Sequence, residues 1–152
     1  MLAALKLGRV RGWKTSKHDV KGAFLKASMP EGRVVIVQPP PAWVKWGLVP
    51  PGVTWTLDKA VYGLRESPRL WGEERDEKLS GLMWQSEGKE YQLKRCSSDS
   101  QVWNLVVVGS STVLGILVVY VDDLLLQAQD NSMRWSFLAS LKKVWKSERK
   151  KR

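Results

Sequence analysis

The chain has 152 residues, 43% hydrophobic and 26% charged, with a formal net charge of +10. That length supports one modest core, and the composition excludes wholesale disorder. The longest apolar run, Val113 to Val121, has nine residues, about half of a bilayer-spanning helix, so no membrane partner is expected. Met1 to Leu7 is too short for a signal-peptide core, and Cys96 is the only cysteine. The expected location is therefore intracellular, cytoplasmic or nuclear, rather than secreted.

The charge is concentrated at the ends. Residues 1–29 hold seven Lys and Arg against Asp19 alone, and residues 142–152 hold seven against Glu148 alone, whereas the middle is slightly acidic. Such flanks are the footprint of a polyanion binder, because each cation near a phosphate releases a counterion. A solubility role, or a solvated basic tail at 146–152, is the plainer reading.

In chain order, Leu2, Leu5 and Val10 outline a weak amphipathic helix ending near Gly12, and a short strand is expected to end at Asp19. Val34 to Val37 reads as a buried strand closed by Pro39-Pro40-Pro41, and after the Pro50-Pro51-Gly52 turn a short strand is expected at Thr54 to Leu57. Ser67-Pro68 is an N-cap and first-turn proline pair, opening a helix to about Trp84 with Leu70, Trp71, Leu79, Leu82 and Met83 on its apolar face. Glu73, Glu74, Asp76 and Glu77 form its solvated face. Ser86 to Ser100 reads as a polar connection, Val102 to Val108 as a strand, and Thr112 to Leu126 as a hairpin whose turn holds Asp122-Asp123. A helix from Met133 to Trp145 precedes the tail, and the fold class is α+β.

Two adjacent aspartates between apolar strands need an explanation, since like charges repel and Asp is depleted in strands. Turn chemistry is one answer; a hard divalent cation, which takes oxygen ligands and neutralises them, is the other. Asp19 is the candidate third carboxylate, with Gly22 and Ala23 leaving room for a close approach and His18, the one histidine, an incidental neighbour. Phe24 reads either as a core aromatic or as a residue facing a ligand.

Asp19 to Leu25 resembles the Asp-Val-Lys-x-Ala-Phe-Leu motif of reverse transcriptases from copia-type LTR retrotransposons, and Tyr120 to Asp123 resembles their Tyr-Val-Asp-Asp box. Leu57 to Trp71 resembles the family's Leu-x-Lys-Ala-Leu-Tyr-Gly-Leu-Lys-Gln-Ala-Pro-Arg-x-Trp segment, and Gln38-Pro39-Pro40 stands where the family has Gln-Pro-Glu-Gly. The four agree in order and approximate spacing over residues 1–145.

The resemblance implies a right-hand polymerase palm, an antiparallel sheet with helices packed on one face, with fingers and thumb incomplete, so the isolated chain is expected to bind primed template weakly and to add nucleotides slowly or not at all. Residues 1–145 would form this partial domain and 146–152 a basic tail. Asp19, Asp122 and Asp123 would be catalytic and would hold two Mg²⁺ ions, Mn²⁺ being an alternative. Ala23, Phe24, Tyr62, Gly63 and Tyr120 would contact nucleotide and template, with Phe24 rejecting a ribose 2′-hydroxyl. Implied partners are an RNA or DNA template with primer, deoxynucleoside triphosphates, and the remaining Pol segments of a full-length relative.

Glu66 replaces the family's usual Gln and is expected to weaken the grip on triphosphate and template. Asp19 and Asp122 are expected to converge across adjacent strands, and Trp43, Trp46 and Trp145 to be exposed. The competing function is a non-catalytic nucleic-acid-binding remnant of a transposable element. A carboxylate-dependent phosphohydrolase ranks last, for want of a nucleophile and a leaving-group acid.

Overall fold

The structure is a computed structural model and describes residues 2–146. The expected basic tail lies outside these residues, apart from Lys146. The chain divides into two compact units, one of residues 1–21 and 72–152, the other of residues 22–71.

The first unit is built on a six-stranded antiparallel sheet. Its strands are β1 (Lys14–Asp19), β4 (Met83–Ser86), β5 (Lys89–Arg95), β6 (Val102–Val107), β7 (Val113–Tyr120) and β8 (Asp123–Ala128), in the order β1-β8-β7-β6-β5-β4. The apolar residues of β7 and β8 are continuous rather than alternating because both faces are covered. On one face Ile116 and Val118 cluster with Val102, Trp13 and Leu125, and with Ala4 and Leu5 of helix α1 (Leu2–Val10). On the other face lie Leu117, Val119, Leu124 and Leu126, each nearly inaccessible. Helix α4 (Asn131–Lys146) covers that second face, bringing Phe137 against Trp84 with ring centroids 5.3 Å apart. Helices therefore occupy both faces, where one face was expected, because α1 lies opposite α4.

Asp130 starts α4: its Oδ1 accepts from the Met133 amide at 2.7 Å and from Ser132 Oγ at 3.2 Å, an N-cap that satisfies one of the helix's free donors. Trp145, expected to be exposed, is buried at the other end of α4. Trp84 stacks on Tyr91 and donates from Nε1 to Ser136 Oγ at 3.2 Å.

The β4–β5 hairpin replaces what reads as the end of a helix and a polar connection. Ser86 pairs with Lys89 around a two-residue turn, Glu87-Gly88, in which both residues have positive φ (50° and 75°), as a type I′ turn requires. Gly115 shows how closely β7 and β8 pack: a Cβ there would lie 2.8 Å from the Gln127 carbonyl oxygen and 3.2 Å from Ala128 Cβ. Gly115→Ala is expected to destabilise by about 1–3 kcal/mol, as overpacking does, read as a lower urea midpoint at unchanged m-value.

The second unit holds a 3-10 turn (Phe24–Lys26), β2 (Ile36–Val37), α2 (Pro41–Lys45), β3 (Trp55–Thr56) and the start of helix α3 (Ser67–Ser80), which continues into the first unit. β2 and β3 form a short antiparallel ribbon. The buried strand expected at Val34–Val37 is thus only a two-residue exposed ribbon, with Val34 62% and Ile36 64% accessible. Trp43 and Trp46 are exposed as expected, and Trp43 meets Trp55 edge-on at 5.7 Å. Ser67 does not cap α3; its buried hydroxyl donates to the Val61 carbonyl at 2.6 Å. The helix stops at Ser80 rather than Trp84: the Gly81 amide still donates to the Glu77 carbonyl at 3.1 Å, and Met83 then enters β4.

Candidate active site

The pairing of β1 with β8 brings two of the aspartates into register. The register places Asp19 directly opposite Asp123, His18 opposite Leu124 and Lys17 opposite Leu125. Direct partners project from the same face, so Asp19 and Asp123 share a face of the first unit's sheet with Tyr120, the partner of Asp123 on β7. Asp122 lies one step beyond, in the turn, where its carbonyl accepts from the Val20 amide at 3.0 Å. Asp19 and Asp122 were expected to meet across adjacent strands; Asp122 lies in the turn between β7 and β8, and the residue facing Asp19 in register is Asp123.

Like charges placed directly across a sheet destabilise it. Lys17 offsets this: two residues before Asp19 and so on the same face, it places Nζ 3.0 Å from Asp123 Oδ1. With the two side chains 66% and 41% exposed, the pair contributes at most about 1 kcal/mol. Alternation along β1 was the signal that could have nominated Lys17 from sequence.

Tyr120 is 59% exposed at the mouth of the hairpin. Ala23, Phe24, Tyr62 and Gly63 lie in the second unit. There Phe24 is buried and its ring is 4.5 Å from that of Tyr62, tilted by 56°, while Ala23 is fully buried and Gly63 has φ +94°. Glu66, the departure from the family pattern, is not an isolated negative charge: Arg33 Nε donates to its Oε1 at 3.1 Å.

Asp76, expected on a solvated helix face, joins a partly buried network of two arginines instead. Arg75 donates to it from Nε and Nη2 (2.9 and 2.8 Å), and Arg95 Nη2 donates to its other oxygen at 2.7 Å. Arg75 was not singled out from sequence, because it sits in a run of charged helix residues with no pattern to mark it.

His18 lies on the α4 side of the sheet. Burial first, then the cationic Arg134 and Lys142, hold its imidazole below the ordinary 6.5. A depressed histidine binds fewer protons folded than unfolded, so its stabilising effect is complete above about pH 6.5 and is lost as the pH falls through the folded-state value. The urea midpoint should fall on acidification across that window, and His18→Asn should flatten the slope.

Among the described residues, no group of three or more His, Cys, Asp and Glu is gathered closely enough to hold a metal ion. The carboxylate pair nevertheless suits Mg²⁺ in chemistry, since that ion takes hard oxygen donors, often only one or two protein carboxylates, and completes its shell with phosphates and water. No helix among the described residues is long and apolar enough to cross a membrane.

A profile of reverse transcriptase (RNA-dependent DNA polymerase) matches residues 1–150. The chain belongs to this family, as a reverse transcriptase domain of the LTR-retrotransposon kind. A protein of Saccharomyces cerevisiae named for the transposon Ty5-1 is 32% identical over 111 residues, covering 72% of this chain. The chain spans only 30% of that relative's length. No solved structure matches.

Proposed function

We propose that the chain is the palm segment of a copia-type retrotransposon reverse transcriptase and that Asp19, Asp122 and Asp123 are its catalytic carboxylates. The observation supporting this is the β1–β8 register, which sets Asp19 opposite Asp123 beside the Asp122 turn. These three residues would hold two Mg²⁺ ions, with Mn²⁺ as a substitute. When bound, the ions supply positive charge that activates a primer 3′-hydroxyl and stabilises the triphosphate. The reaction joins the primer oxygen to the α-phosphorus as the bond to pyrophosphate breaks.

The chain's own residues bind and orient. Tyr120 offers an exposed phenol ring beside Asp123, and Phe24 with Tyr62, Ala23 and Gly63 is assigned to nucleotide and template contact. Residues 1–145 act as the polymerase segment and 146–152 as its basic tail, in the cytoplasm or nucleus, alongside the other Pol segments. Primer extension on a primed RNA template with Mg²⁺ tests this reading: template-directed addition lost in Asp122→Asn supports it, and addition unaffected by the substitution overturns it.

The cationic residues 1–29 favour a second reading, a remnant that binds nucleic acid without catalysis. Under both readings, affinity for primed template falls steeply with salt, the logarithmic slope being about −0.9 for each duplex phosphate neutralised. Filter binding across a salt series checks this, and a flat dependence contradicts both.

A further inference from the structure

Asp122 depends on a turn that its own sequence disfavours. Tyr120 and Asp123 are paired, which leaves Val121-Asp122 as a two-residue loop. Val121 has φ +51°. Positive φ at the first loop residue suits glycine, whereas a β-branched residue there is a steric outlier.

Arg75 approaches from α3. Its Nη1 donates to the Val121 carbonyl at 3.2 Å. Among the described residues it is the one buried Lys or Arg, 9% exposed. Burying a guanidinium carries a desolvation penalty that an apolar side chain at the same helix position would avoid. Its orientation is fixed: Nε and Nη2 both donate to Asp76 Oδ1, and Asp76 Oδ2 is held by Arg95, whose Nε donates to the Ser100 carbonyl at 2.9 Å. Charge-assisted bonds of this kind are stronger than neutral ones.

The Val121 carbonyl and the Asp122 amide belong to one planar peptide. Arg75 therefore fixes the plane preceding the Asp122 Cα, while the Val20 amide, bonded to the Asp122 carbonyl, fixes the plane following it. Both backbone angles of Asp122 are then set from outside the hairpin.

We infer that Arg75 is a positioning residue that clamps the Val121–Asp122 turn in its positive-φ conformation, oriented by Asp76 and Arg95. Its catalytic consequence rests on the proposed role of Asp122; its structural consequence does not.

The test uses the full chain and the hydrogen exchange of the Val20 amide, which reports on the Asp122 carbonyl. The Val108 amide, bonded to the Glu90 carbonyl at 2.8 Å, serves as the control. Arg75→Met should speed Val20 exchange at least about tenfold while Val108 is unchanged, and Arg75→Lys should recover part of the protection. Placed on Val121→Gly, which adopts positive φ without help, Arg75→Met should have a clearly smaller effect on Val20. If Arg75→Met does not fold, Asp76→Asn takes its place with the same expectation. In extension assays the substitution should lower kcat with little change in nucleotide KM.

Unchanged Val20 exchange, equal acceleration of Val20 and Val108, or the same loss in the Val121→Gly background would each overturn the clamp. A wild-type chain that adds no nucleotide would count against the polymerase reading alone, because the exchange result stands without it.

Discussion

Asp19→Asn is expected to reduce nucleotide addition by on the order of a thousandfold, which corresponds to ~4 kcal/mol of lost transition-state charge stabilisation. The fold should survive. Asp19 is exposed at the end of β1 and faces Asp123 across the ladder, so removing one of two opposed negative charges should leave stability unchanged or raise it by roughly 0.2–1 kcal/mol. A chain that is at least as stable and yet inactive separates a chemical role from a structural one. Urea unfolding and single-nucleotide extension on the same preparation measure both quantities, and lost activity accompanied by a lower midpoint would point to misfolding instead.

Trp84→Ala should produce a large loss of stability, about 3–5 kcal/mol, as expected for a large aromatic removed from a packed core. Trp84 is 5% exposed, stacks on Tyr91, meets Phe137 edge-on and bonds Ser136. It thereby ties β4, β5 and α4 together. A domain of this size has only about 5–15 kcal/mol in total, so the variant should be partly unfolded at physiological temperature. Trp46→Ala, at a tryptophan 68% exposed, is the contrasting substitution and should stay within about 0.5 kcal/mol of wild type.

Trp84 also shows where sequence reading runs short. Trp84, Tyr91 and Leu93 are the buried positions of β4 and β5, separated by Lys, Glu, Gln and Ser, and so polar a stretch looks like a connection. Glu87-Gly88 was the available signal, a two-residue turn with glycine at its second position, but glutamate seldom adopts the positive φ that a type I′ turn demands. The β7–β8 hairpin was legible because its apolar runs are long and the Asp pair interrupts them abruptly. The Asp19–Asp123 register was not, since a one-residue shift between Asp122 and Asp123 depends on the loop conformation of Val121, which in turn is bonded by Arg75 in a distant helix. Long-range hydrogen bonds of that kind leave no periodic trace. Val34–Val37 misled for the opposite reason: a β-branched run has strand propensity wherever it lies, and here only Ile36–Val37 finds a partner strand.

The central claim, that Asp19, Asp122 and Asp123 form a divalent-metal centre, is tested most directly by Mn²⁺ binding followed by electron paramagnetic resonance. This readout requires no turnover. Mn²⁺ alone should bind weakly, since two facing carboxylates supply few ligands, and should tighten when primed template and a deoxynucleoside triphosphate add phosphate oxygens. Loss of that tightening in both Asp19→Asn and Asp122→Asn, with template affinity retained, is the predicted result. Mn²⁺ binding equal in wild type and both variants would contradict the account.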